Sequence, residues 1–160
     1  MPIFGREPGA GEVCLWWLGQ AGFAIAGGGM RVLVDPYLSD SLAKKYRGTR
    51  FPHERMMPAP VAPDALTDID LTFCTHAHTD HMDPATLAPL VQANPGMRIV
   101  APRAAAETAI ERGAPRDALA LIDAGQRVQI GGLEIAAVPA AHEQLERNER
   151  GECLYLGYVW

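Results

Sequence analysis

Within the stretch Thr75-His76-Ala77-His78-Thr79-Asp80-His81-Met82-Asp83-Pro84, four side chains that bind metal fall in six positions. An apolar, strand-like run from Ile69 to Thr75 leads in, and a helix-like run opens at Pro84. The stretch therefore reads as a loop between a strand end and a helix start, where a rigid scaffold holds polar groups at its edge. His76 and His78 are two apart, so on extended backbone both imidazoles point to one face and converge on one ion. Asp80 and His81 come where the chain turns toward the helix, which aims them at a second position beside the first. Neutral imidazole and carboxylate suit zinc, iron or manganese. In two-metal hydrolytic sites the ions sit roughly 3.5–4 Å apart and share an activated water. A single-metal site is the plainer rival.

At these residues the chain resembles the metallo-β-lactamase superfamily, whose signature His-x-His-x-Asp-His stands intact as His76, His78, Asp80 and His81. The resemblance implies His76 and His78 on a first metal, and Asp80 and His81 on a second. The superfamily's oxygen-reducing diiron branch usually carries an acidic residue at the position of His78, so this sequence fits the hydrolytic branch better. A second stretch narrows the likeness: Trp-Trp-Leu-Gly-Gln-Ala-Gly-Phe (16–23), a glycine-rich turn, then Val-Asp-Pro-Tyr-Leu (34–38). This resembles the amino-terminal strands of the branch that contains L-ascorbate-6-phosphate lactonases, with N-acyl-phosphatidylethanolamine phospholipase D more distant. There the aspartate matching Asp35 ends a strand near the metal loop. Asp35 is thus either a support that accepts a hydrogen bond from a metal-bound histidine or loop amide, or an ordinary Asp-Pro turn starter.

The 160 residues make one ordinary domain by size, 48% hydrophobic and 21% charged. The net charge of −5 comes with no basic block, which gives no support for nucleic acid or an anionic membrane as partner. No apolar run approaches the ~20 residues of a membrane span. Residues 1–12 are rich in glycine and proline without an apolar core, so they read as a mobile leader rather than a signal peptide. Cys14, Cys74 and Cys153 are an odd set without a close pair, as buried reduced thiols of a cytoplasmic protein would be. Cys74 lies near the histidines, but the His/Asp set already supplies a site.

From Val13 to Val34, short apolar runs broken by glycines read as a β-meander whose residues are sheet core. Residues 38–66, rich in proline and charge, read as a long loop with a helical turn near Ser41 to Tyr46. Its Lys44, Lys45, Arg47, Arg50, His53 and Arg55 suit an anionic substrate or plain solvated surface; His53 has no ligand spacing. Asp83-Pro84 caps and opens a helix, ended by Asn94-Pro95-Gly96. A strand at Arg98–Ala101 follows, then a helix from Pro102 through Arg112, and a strand at Leu119–Ile122. Gly131-Gly132 joins strands Gln126–Ile130 and Leu133–Val138 in a two-residue hairpin. His142 leaves that last strand into a polar loop, and the resemblance carries the first metal's third histidine onto it; Glu143 beside it reads as surface. Glu152 to Trp160 reads as a final strand.

These readings give an α/β fold, the αβ/βα sandwich of the superfamily or its amino-terminal portion, with a leader at 1–12 and a domain over 13–160. The function they imply is a metal-dependent, lactonase-like hydrolase acting on an ester, lactone or phosphodiester of a small molecule, with Asp80 catalytic and two divalent ions (zinc, manganese or iron) in the full domain. A metal-binding module without turnover and a partner-binding scaffold are the rivals. The resemblance covers only the first part of the family pattern. That pattern supplies a metal-bridging carboxylate from a later Gly-Asp pair and completes the second site with a further histidine, so these 160 residues are expected to hold at most one metal tightly. The apolar Leu154–Trp160 run is expected to be an exposed edge that invites self-association.

Overall fold

Glycine turns set the register of the first strands. The computed structural model describes residues 2–160. Strands β1 (Val13–Gly19), β2 (Gly22–Gly27) and β3 (Met30–Val34) form an antiparallel meander. Gly28 and Gly29, both at positive φ, close the tight turn between paired Gly27 and Met30, as a two-residue hairpin loop requires. After the helical turn α1 (Ser41–Lys45), β4 (Leu71–Phe73), β5 (Arg98–Pro102) and β6 (Leu119–Ile122) add in parallel, in the order β1-β2-β3-β4-β5-β6. Helices α2 (Pro84–Ala93) and α3 (Ala106–Glu111) lie in the crossovers. A second, antiparallel sheet holds β7 (Arg127–Ile130), β8 (Leu133–Pro139) and β9 (Leu156–Val159).

The period-two alternation of the first sheet sends its side chains into two cores. Leu33, Ile99 and Ala101 pack with Leu87, Leu90 and Ala109 of the helices. Val32, Phe73, Val100 and Ile122 pack with Ile135, Ala137 and Leu156 of the second sheet. The layers are helix, sheet, sheet. Because β3, β4 and β5 run parallel, their carboxyl ends share one edge, the usual binding edge of such sheets. Asp35, the histidine loop and the turn at Arg103 all leave from it.

Several expectations change. Most of residues 2–12 are exposed, but Ile3 and Phe4 pack against the helix-side core, Phe4 meets Trp16 edge-on at 5.3 Å, and Glu7 pairs with Arg31. Met1 lies outside the described residues. The strand expected over Ile69–Thr75 is three residues long. The helix expected from Pro102 is a 3₁₀ turn, Arg103–Ala105, running into the shorter α3, because Pro102 still belongs to β5. The last strand begins at Leu156; ahead of it Asn148 draws the chain into a turn, bonding the amides of Arg150 and Glu152. The β1 run is not all core. Val13, Leu15 and Trp17 are 69%, 62% and 46% exposed, because the second sheet packs over β3 to β6 and leaves the β1 edge uncovered. The terminal strand is partly inward, with Leu156 buried and Val159 and Trp160 exposed.

Asp83 precedes α2 as expected, but its carboxylate does not cap the helix amides. It accepts instead from the hydroxyls of Ser39, Ser41 and Thr86 at 2.6–2.8 Å. This pins the long loop's start to the helix that follows the histidines.

Candidate metal centre

The histidine loop is bent, not extended. The amides of His81 and Met82 both reach the carbonyl of His78, at 3.1 and 2.9 Å. This turn folds the motif back so that the His81 ring lies 3.9 Å from that of His76, centre to centre. His76 and His78 are 4.6 Å apart by the same measure. Both histidines lie in a bend past the end of β4 rather than in the strand itself. His142, carried in from the end of β8, completes a cluster: one ring nitrogen from each of His76, His78 and His142 lies within 4.8 Å of the others. The amide of Ala140 bonds the carbonyl of Tyr155 at 3.1 Å, which ties the His142 loop to the approach of β9.

Asp35 sits at φ +43°, a left-handed conformation that aspartate tolerates better than most residues. The kink turns its carboxylate into the loop. It accepts from the Thr75 amide at 2.7 Å and the Thr75 hydroxyl at 2.6 Å, and it meets His81 Nδ1 at 2.8 Å. The Thr75 hydroxyl has one hydrogen, and that goes to Asp35. Its oxygen, 2.9 Å from His76 Nδ1, therefore accepts a hydrogen from that nitrogen, which assigns the tautomer and leaves a lone pair on His76 Nε2. That Nε2 is buried and has no hydrogen-bond partner. A buried polar atom without a partner is costly; one whose lone pair faces two other imidazoles suits a cation. Burial, reinforced by His81, His78 and His142, holds the His76 pKa down at about 3, so its ring is neutral at neutral pH. Burial also pulls on His81, but its bond to Asp35 and the charges of Asp35 and Asp80 more than offset this and raise its pKa.

The structure brings Asp80 to 3.7 Å from His81 Nε2, with its side chain 38% exposed. Asp80 and His81 thus face one another beside the three-histidine cluster. Cys74 is buried outside the cluster, and burial pushes its thiol up. Glu143 is exposed. His53 lies against Tyr46, away from the cluster. Lys44 and Arg47 line a separate surface cleft with Asp40 and Glu54.

Three contributors escaped the sequence reading. Thr75 joins Asp35 to His76; a hydroxyl adjoining the first histidine was the available signal. Arg112, just past α3, donates to the carbonyls of Ala77 at 2.6 Å and Met82 at 3.0 Å, bracketing the bend; nothing local marks it. Tyr155 lays its ring against His76, His142 and His78, at 4.9, 5.6 and 5.9 Å between centres. A small recess of about 160 Å³ opens between it and the histidines.

Residues 30–160 match the model of the beta-lactamase superfamily domain. The chain belongs to this superfamily. Among curated superfamily relatives, it is 32% identical to a metal-dependent hydrolase of Aeropyrum pernix, over 82% of this chain and 52% of that protein. It is 26% identical to a probable L-ascorbate-6-phosphate lactonase of Escherichia coli, over 81% of this chain and 42% of that protein. The chain thus spans about half the length of these relatives. In fold it is similar to the isothiocyanate hydrolase from Delia radicum gut bacteria, at TM-score 0.60 and 23% identity, over 91% of this chain and 57% of that one. It is similar also to CmlA, a diiron beta-hydroxylase of Streptomyces venezuelae, at TM-score 0.63 and 22% identity, over 92% and 27%. The architecture is the α/β sandwich of the superfamily. Among the described residues, no helix is long and apolar enough to cross a membrane.

Proposed function

We propose that this chain carries the metal-binding loops of a metal-dependent hydrolase that acts on an ester, lactone or phosphodiester of a small molecule. The observation that carries the reading is the buried, unpartnered Nε2 of His76 beside the ring nitrogens of His78 and His142. Together these three would hold one divalent ion, and Asp80 with His81 would contribute to a second. A bound divalent ion supplies Lewis acidity, lowering the pKa of water and polarising the attacked group. The protein's own part is positional. Thr75 fixes the His76 tautomer, and Asp35 fixes the His81 ring. The partly exposed carboxylate of Asp80, beside His81, would orient a water and take its proton. The metal-dependent hydrolase and lactonase names among the relatives support the same reaction class.

A metal-binding module without turnover is the second reading. It is favoured by the pairing of Asp80 with His81 alone, among the described residues, beside the three-histidine cluster. Hydrolysis of p-nitrophenyl acetate, a γ-lactone and bis(p-nitrophenyl) phosphate, with zinc or manganese and with EDTA, separates the two. Metal-dependent turnover that Asp80→Asn abolishes supports the hydrolase. Stoichiometric metal with no turnover on any substrate supports the module.

A further inference from the structure

The recess beside the histidines differs in character from the rest of the polar edge. Apart from His76 and His78, its walls are Ala77, Ala104, Ala105, Leu154 and the ring of Tyr155. Among the described residues, no Lys, Arg, Asp or Glu side chain lines it. The sequence explains this: the 3₁₀ turn after β5 presents two alanines where larger residues would fill the space. The two nearby guanidinium groups are committed elsewhere. Arg103 turns to Gln126 at 2.9 Å and to Glu152 at 3.7 Å, and Arg112 is spent on the carbonyls of Ala77 and Met82. The basic residues of the long loop, Lys44 and Arg47, line another cleft. A phosphate or a second carboxylate entering the recess would meet no cationic side chain there. An alkyl group would meet apolar walls.

Size sets a second limit. The recess is only about 160 Å³, so it takes a short chain rather than a long one. We propose that this recess is an acyl pocket: it takes the short, uncharged alkyl part of a carboxylic ester or lactone, with the carboxyl end toward His76, His78 and His142. Tyr155 is the wall that sets the length accepted. The proposal rests on the metal reading of the histidine cluster and narrows its substrate class.

The test uses the cobalt-loaded chain and needs no turnover. Acetate, butyrate, pentanoate, decanoate and inorganic phosphate are titrated separately, and each dissociation constant is read from the cobalt absorption bands. Each methylene that enters an apolar site should tighten binding roughly three- to fourfold. Butyrate is thus expected to bind about tenfold tighter than acetate, with decanoate gaining nothing over pentanoate and phosphate no tighter than acetate. Tyr155→Ala should extend the gain to longer chains. Ala104→Leu should erase it while leaving the cobalt spectrum of the ligand-free protein unchanged. Affinity independent of chain length, or phosphate bound tighter than butyrate, overturns the acyl pocket and leaves the metal reading standing. Absence of any cobalt bands overturns both.

Discussion

The carboxylate of Asp35, at the end of β3, lies 2.8 Å from Nδ1 of His81, a residue 46 positions further along the chain. The same carboxylate holds the amide and hydroxyl of Thr75, so one side chain orients both ends of the histidine loop. Asp35→Asn keeps the shape and tolerates the left-handed backbone, but removes the charge that keeps the His81 pKa raised against burial. In the metal-free variant, the His81 NMR titration is expected to move to lower pH. Metal affinity should fall about 10–100-fold, as with other supports of metal-bound histidines. An unmoved His81 titration would show that the charge of Asp35 does not act on it.

Asp80 pairs with His81 Nε2 at 3.7 Å and its side chain is 38% exposed. Asp80→Asn should therefore leave the melting temperature within about 4 °C of the parent, since a partly exposed ion pair contributes ~0–1 kcal/mol. In a hydrolytically active form of the protein, the same change is expected to abolish turnover. Circular dichroism and a p-nitrophenyl ester assay read the two effects. Turnover at the parent rate would remove Asp80 from the reacting centre.

Arg112 holds the bend through two carbonyls. Hydrogen bonds from a charged group contribute roughly 1.5–3 kcal/mol each, though removing the whole side chain lets water reach part of the gap. Arg112→Met is expected to cost about 2–3 kcal/mol in urea unfolding and to broaden the cobalt absorption bands. Arg112→Lys, reaching one carbonyl, should recover part of both. Unaltered cobalt bands in Arg112→Met would confine the residue to a stability role.

The exposed stripe of Val13, Leu15 and Trp17 lies on an edge strand, where apolar surface and unpaired backbone together favour association. Leu15→Lys with Trp17→Lys should lower self-association in sedimentation velocity more than Val159→Lys does. The reverse order would return that role to β9.

The motif's neighbourhood was legible because its signals are local. Strand, loop and helix follow one another within the chain, and Leu119–Ile122 and the Gly131-Gly132 hairpin fall where alternation and turn chemistry put them. What stayed illegible is set by tertiary contact. Whether Leu15 is core or surface depends on how far the second sheet reaches. The end of the β5–α3 segment depends on Pro102 pairing with Ile122. Arg112 reaches the carbonyls of the histidine loop, and Tyr155 the imidazoles, only after long stretches of chain have folded back, so no spacing rule marks them. His76 and His78 lie past the end of the three-residue β4, so their shared side of the loop is set by a local bend that residue spacing does not show.

His76, His78 and His142 are proposed to form a metal site. Metal analysis of the purified chain after incubation with zinc and exhaustive gel filtration tests it most directly, alongside the double variant His76→Ala with His78→Ala. One tightly held ion per chain, lost in the folded double variant, is the expected result. A parent chain without metal, or a double variant that retains the same stoichiometry, would contradict it.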